Sequence, residues 1–232
     1  MKIKCHLRSL LVAAAFSSAA LAGSAGHAAE LLTDGSFETP AIGGGNYTYP
    51  GLNIGTIGQI GATQDGWTYA GSALVGATGY NAWYGGAPPA GQDGAQFVAL
   101  QGTSTLAQTF TMTGAVLDLS WLAGGRPNFG SYNGDETYDV KLNGLTLGSY
   151  STISGEAFTA KSLHLGGLTN GGTYTLSFVG KAVGGADETS FIDKVSATGG
   201  GVPEPAAWAL MIVGFGGVGA ALRSKRRTFV AA

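Results

Sequence analysis

Seven stretches of the chain alternate apolar and polar residues with a period of two. In "ETYDVKL", Tyr138, Val140 and Leu142 share one face while Thr137, Asp139 and Lys141 share the other. "GTYTLSFVG" repeats the pattern with Tyr174, Leu176 and Phe178, and "VLDLSWL" sets Leu117, Leu119 and Trp121 against Asp118 and Ser120. "AQFVALQ", "STLAQTFT", "KSLHL" and "SFIDKV" read as further strands. Strands with one wet face belong to antiparallel sheets, so the pattern predicts an all-β, antiparallel β-sandwich rather than an α/β fold. Trp67 and Trp121 are assigned to its core.

Turn chemistry agrees. Asn143-Gly144 joins "YDVKL" to "LTLGSY", and a type I′ hairpin needs two residues that tolerate positive φ. Asn170-Gly171-Gly172 marks a second turn. The stretches 41–66 and 76–94 are too long for hairpins and read as functional or mobile loops.

Both ends break the pattern. Lys2, Lys4 and Arg8 precede the apolar run Leu10–Ala22, and Gly26 and Ala28 supply small residues before a cut after Ala28. That is the layout of a secretory signal peptide, residues 1–28, handled by the Sec export machinery. The sandwich is then expected over 29–198, with 199–202 as a linker. From Trp208 to Leu222 no residue is charged, and extending the run back to Pro205 gives a helix of about 27 Å, near one hydrocarbon thickness. Arg223, Lys225, Arg226 and Arg227 follow, which predicts one transmembrane helix with its basic end in the cytoplasm. Within it "GFGGVG" spells G-x-G-x-x-G, but a dinucleotide site needs a preceding strand and an acidic residue some way downstream. The residues after Gly219 contain no acid, so these glycines suit helix packing in a membrane instead.

Charge and cysteine content exclude further classes. Residues 29–198 carry thirteen Asp or Glu against five Lys or Arg. So acidic a domain has no basic stripe for nucleic acid. The single cysteine, Cys5, lies in the signal segment, which leaves the exported part without disulfides. His164 is the one histidine there; it alternates with Leu163 and Leu165 and reads as solvent-facing. Zinc sites of His/Cys type therefore have no ligands, and no nucleophile elbow occurs. Adjacent acids in Asp135-Glu136 and Asp187-Glu188 point apart on a strand, so with Glu156 they read as solvated turn acids rather than a glycosidase pair. The expectation is a non-catalytic protein, with a carbohydrate-active surface hydrolase using acidic residues as the alternative.

Pro203-Glu204-Pro205, then Trp208-Ala209, the Gly-rich apolar run and the basic cluster together resemble the PEP-CTERM sorting signal of the PEP-x-x-W-A type, over residues 203–227. The resemblance implies processing by exosortase, a membrane-embedded transpeptidase, near the Pro-Glu-Pro, after transient anchoring and before delivery to the cell surface or extracellular matrix. Prolines on both sides of Glu204 keep that segment extended and out of the helix. Residues 228–232 form an uninterpreted tail.

"LLTDGSFETP", "DGWTYAG", "GQDGAQFVALQG", "LAQTF" and "ETSFIDKVSA" resemble galactose-binding-like jelly-roll domains, including DUF642-type proteins and several carbohydrate-binding modules. The resemblance implies a jelly roll whose first and last strands meet, with a structural Ca²⁺ at Glu38 and Asp193 and Asp34 as a third ligand; the competing reading gives Asp193 a loop amide. Hard cations suit carboxylate oxygens. The resemblance also implies exopolysaccharide or biofilm matrix as partner. Sugar recognition needs aromatic faces with planar polar groups, and "GYNAWYGG" offers Tyr80, Trp83 and Tyr84, while "GRPNFGSYNGDE" offers Arg126 and Tyr132. Those loop aromatics equally suit plugging the open edges of the core, and both roles stay open at this point.

Overall fold

A computed structural model describes residues 28–127, 135–182, 187–200, 211–219 and Arg223. The chain forms strands β1 (Ala29–Glu30), β2 (Tyr47–Thr48), β3 (Thr63–Gln64), β4 (Trp67–Ala70), β5 (Ala73–Gly76) and β6 (Gln96–Gln101). They are followed by β7 (Thr105–Thr111), β8 (Val116–Gly125), β9 (Glu136–Leu142), β10 (Leu145–Thr152), β11 (Thr159–Gly166), β12 (Thr173–Lys181) and β13 (Thr189–Gly200). All seven alternating stretches are strands. Every strand pair is antiparallel.

The strands make two sheets. One runs β11-β8-β13-β6-β5-β2, with β1 added beside β13; the other runs β10-β9-β12-β7-β4-β3. From β6 to β9 the chain changes sheet at each connection, and it does so again from β10 to β13, as in a jelly roll. Trp67, Leu106, Trp121, Tyr138 and Phe178 fill the space between the sheets. Trp121 Nε1 donates to the Tyr138 hydroxyl at 3.0 Å, so the indole is buried with its polar atom satisfied. At the β9–β10 hairpin Asn143 and Gly144 have φ of 49° and 80°, the two left-handed positions that the Asn-Gly pair predicted.

β13 positions everything that follows. Its first half pairs with β6, its whole length with β8, and its end with β1, where Glu30 opposes Thr198. Between Asp193 and Ser196 the register slips in a bulge, with Lys194 at a φ of 45°. Residue 35 crosses the chain at that bulge. The Val195 amide donates to the Gly35 carbonyl at 2.8 Å, and a β-carbon on Gly35 would lie 1.8 Å from the Val195 oxygen. Only glycine lets the first segment lie that close.

One prediction needs correcting. β6 was expected to keep a wet face, yet five of its six residues are buried. The loop over residues 77–95 lies across the outer face of the first sheet, and Trp83, Tyr84 and Phe158 pack there on Phe97 and Phe191. The sandwich thus has a second, outer core.

The segment that contains the sorting motif lies mostly outside the described residues, as does the signal peptide through residue 27. Pro203, Glu204, Pro205, Trp208, Lys225, Arg226 and Arg227 are among those not described. Residues 211–219 form a helix, and its Met211, Ile212, Val213, Phe215 and Val218 are exposed. No helix among the described residues is long and apolar enough to cross a membrane.

Candidate functional site

Three places gather polar chemistry: the β13 bulge, the end of the sandwich at the start of β13, and the outer face of β8, β11 and β13.

At the bulge the structure brings Glu38 and Asp193 onto one short segment. Glu38 Oε1 accepts the amides of Ala95 and Gln96 at 2.7 and 3.0 Å. Asp193 Oδ2 accepts the Asp93 amide at 2.7 Å, and its Oδ1 accepts the Lys194 amide at 2.7 Å. Asp34 holds the turn before them, its oxygens accepting the amides of Glu38 and Thr39 at 2.8 and 3.1 Å. Asp93 bonds Ser36 and Lys194 at 2.8 and 2.9 Å, and the Lys194 ammonium with the Ser36 hydroxyl holds its carboxyl below the usual range. Asp193 is fully buried. Desolvation first, and then the like charges of Asp93 and Glu38, push its carboxyl up to about 8 against the pull of its two amide bonds. Desolvation also raises Asp34. These acids join the first segment to β13 through the 93–96 segment, where Asp93 bonds both Ser36 and Lys194. Their donor chemistry suits a hard cation, but among the described residues no group of three or more His, Cys, Asp or Glu side chains is arranged to hold a metal ion.

The end of the sandwich holds the aromatic candidates. Trp83 and Tyr84 are 3% and 4% exposed. The Arg126 guanidinium lies 4.4 Å over the Trp83 ring, donates through Nε to the Trp83 carbonyl at 2.9 Å, and pairs with Asp187 at 3.2 Å. Arg126 is itself only 3% exposed. The Tyr84 hydroxyl donates to the Gly76 carbonyl at 2.7 Å, and Asn81 Oδ1 accepts the Trp83 amide at 3.0 Å. Trp83 and Tyr84 are buried in the outer core on the face of the first sheet, not at an open edge between the sheets. Their faces are used against Phe97, Tyr47 and Tyr49. Tyr80, by contrast, is 68% exposed. Tyr132 lies outside the described residues. Arg126 and Trp83, named as separate candidates, form one cation–π unit.

The acids of this end are engaged. Asp187 also accepts from Gln101 Nε2, Glu156 Oε2 accepts the Ile153 amide at 3.1 Å, and Asp135 accepts the Ser154 amide at 2.6 Å. Glu136 and Glu188 are buried.

The third place escaped the sequence reading. On the outer face, Ser162, Ser120 and Ser196 stand side by side across β11, β8 and β13, and His164, Asp118 and Thr198 form the next row. His164 Nδ1 lies 2.5 Å from Asp118 Oδ1, and Ser196 donates to Glu30 Oε2 at 2.5 Å. These rows line a shallow depression of about 200 Å³. Alternation along the chain sets Asp118, Ser120 and His164 outward. Only the register lines the hydroxyls of these rows up.

A jelly-roll sandwich is the class of molecule the geometry defines, and solved structures share that fold. The chain is similar to an apo-form cyclase from Fischerella sp., at 13% identity over 76% of this chain and 98% of that one, with a TM-score of 0.54. It is similar also to a cyclase from Fischerella sp. TAU in complex with 4-(1H-indol-3-yl)butan-2-one, at 13% identity over 76% of this chain and all of that one, with a TM-score of 0.53. A family 35 carbohydrate-binding module from Clostridium thermocellum matches more loosely, at 11% identity over 58% of this chain and 92% of that one, with a TM-score of 0.40. At such identities the likeness is one of fold. No protein-family model and no curated protein matches the chain.

Proposed function

We propose that this is an exported, exosortase-sorted sandwich that works without catalysis at the cell surface or in the extracellular matrix, where it associates with exopolysaccharide. The observation that carries the polysaccharide part is the hydroxyl-lined depression on the outer face. Its volume of about 200 Å³ is below the roughly 300 Å³ at which small-molecule pockets begin. An open, flat strip of Ser and Thr hydroxyls beside a carboxylate and an imidazole instead matches the edge of an extended sugar chain. The engagement of the end acids with loop amides and Arg126 supports a non-catalytic role. The Ser rows also lack what acyl transfer needs, because β8 lies between two hydrogen-bonded neighbours and its amides are spent in the ladders rather than on an oxyanion.

The sorting part is supported by the motif in 203–227 and by the exposed apolar residues of 211–219. Calcium at Glu38 and Asp193 belongs to the same proposal, as a stiffener of a link already closed by hydrogen bonds; the carboxyl of Asp193, fully buried near those of Asp93 and Glu38, supports it. Retention on purified exopolysaccharide tests the reading. The double variant Ser120→Ala, Ser162→Ala is expected to weaken retention about tenfold with an unchanged melting temperature. Retention equal to wild type in that variant removes the depression from the proposal.

A further inference from the structure

The depression on the outer face of β8, β11 and β13 presents acceptors that nothing in the chain answers. His164 Nδ1 lies 2.5 Å from Asp118 Oδ1. In a neutral imidazole so placed, Nδ1 carries the proton and Nε2 is left as an acceptor. Among the described residues neither His164 Nε2 nor Asp118 Oδ2 has a hydrogen-bond partner, and the hydroxyls of Ser120, Ser162 and Thr198 have none either. Ser196 has given its proton to Glu30 Oε2, so its oxygen too is turned into an acceptor. The lining contains no Lys, Arg, Asn, Gln or Trp to act as a dedicated donor.

Charge points the same way. Residues 29–198 carry five Lys or Arg against thirteen Asp or Glu, and those five cations are engaged elsewhere. Arg126 pairs with Asp187 and Lys194 with Asp93, while Lys141 and Lys181 share Asp139 on the other sheet. Lys161 stands opposite Trp121 in the register, hence on the core side of β11 and away from Ser162 and His164. The depression therefore holds the Asp118 carboxylate, with that of Glu30 behind Ser196, and neither an ammonium nor a guanidinium. A uronate chain would bring carboxylates to carboxylates. We propose that the depression takes a polysaccharide whose sugars carry free amino groups, with the amine on Asp118 Oδ2 and His164 Nε2 and the sugar hydroxyls on Ser120, Ser162 and Thr198. This rests on the polysaccharide reading above and names the class of chain. One exposed ion pair contributes little, but a repeating chain offers the same carboxylate a new amine each time one leaves.

Retention of the full chain in mild detergent tests this on three supports at neutral pH and low salt: immobilised polyglucosamine, the same polymer after N-acetylation, and polygalacturonate. The wild type is expected to be held several-fold more tightly by the free-amine polymer than by its acetylated form, and least by polygalacturonate. Added NaCl should narrow that preference. Asp118→Asn should cut the amine-to-acetyl ratio by about fivefold, the upper end for an exposed pair. Ser162→Lys, at an equally exposed position, should turn the preference toward polygalacturonate. The inference is overturned if the wild type holds the acetylated or the uronate chain as tightly as the free-amine one, or if a folded Asp118→Asn keeps the wild-type ratio. It is overturned equally if poly-L-lysine at matched charge displaces the protein as well as soluble polyglucosamine does, because the site would then read charge and not sugar. The double variant Ser120→Ala, Ser162→Ala separates the two levels. Wild-type retention of that variant on all three supports removes the depression and this inference together; retention lost without any preference among the supports removes the amine class alone.

Discussion

The outer face of the first sheet is two surfaces, and β13 runs through both. Along its first half, Phe191 lies beside Phe97 with ring centroids 4.6 Å apart under the Trp83 loop. Along its second half, Ser196 and Thr198 stand in the hydroxyl rows beside Ser120 and Asp118. The bulge at Asp193 separates them. Strand alternation decides only which residues point outward. Whether they meet water is decided by the long loop that crosses one half of the sheet and leaves the other bare.

Breaking the covered half should have the largest effect. Trp83→Ala removes the ring under Arg126 and opens the outer core, for an expected loss of about 3–5 kcal/mol, read by thermal or urea denaturation. A loss below about 1 kcal/mol would mean that the loop merely rests on the sheet.

The boundary responds to pH. Asp193 has its folded-state value raised from 3.8 to about 8, so the neutral carboxyl is the form that folding favours. Its contribution is fully present below the unfolded value and is lost as pH rises toward 8. In EDTA, the melting temperature should therefore fall between about pH 4 and 8, and Asp193→Asn should flatten that slope. A wild-type slope retained in Asp193→Asn would assign the effect to another acid.

The bare half should answer least. His164 and Asp118 are 70% and 57% exposed, and His164→Ala should change stability by no more than about 0.5 kcal/mol. A larger change in denaturation would show that the hydroxyl rows are part of the fold rather than a surface held ready.

The seven alternating stretches were legible because each buries a row of side chains between the sheets, and period two reports that row directly. β6 carries a clue: "QFVALQ" has no wet position between its glutamines, as a strand covered on both faces requires. The partner on its second face is a loop, and nothing in local patterning says where a loop lands. For the same reason Trp83 and Tyr84 were readable as aromatic and loop-borne but not as buried. The meeting of Glu38 and Asp193 followed from the resemblance at both ends of the sandwich. Glu136 looked like a turn acid because its sequence neighbours are polar, yet its surroundings come from Ser190, Gly180 and Gly102, far along the chain.

The antiparallel pairing of Ala29 with Gly199 has a mechanical corollary. The chain enters and leaves the sandwich at the same pole, on neighbouring strands. β13 has twelve residues and is about 40 Å long, so Arg126 and Asp187 lie at the opposite pole. A pull on the chain beyond Gly200 is therefore carried into β13 rather than through the loops at its head.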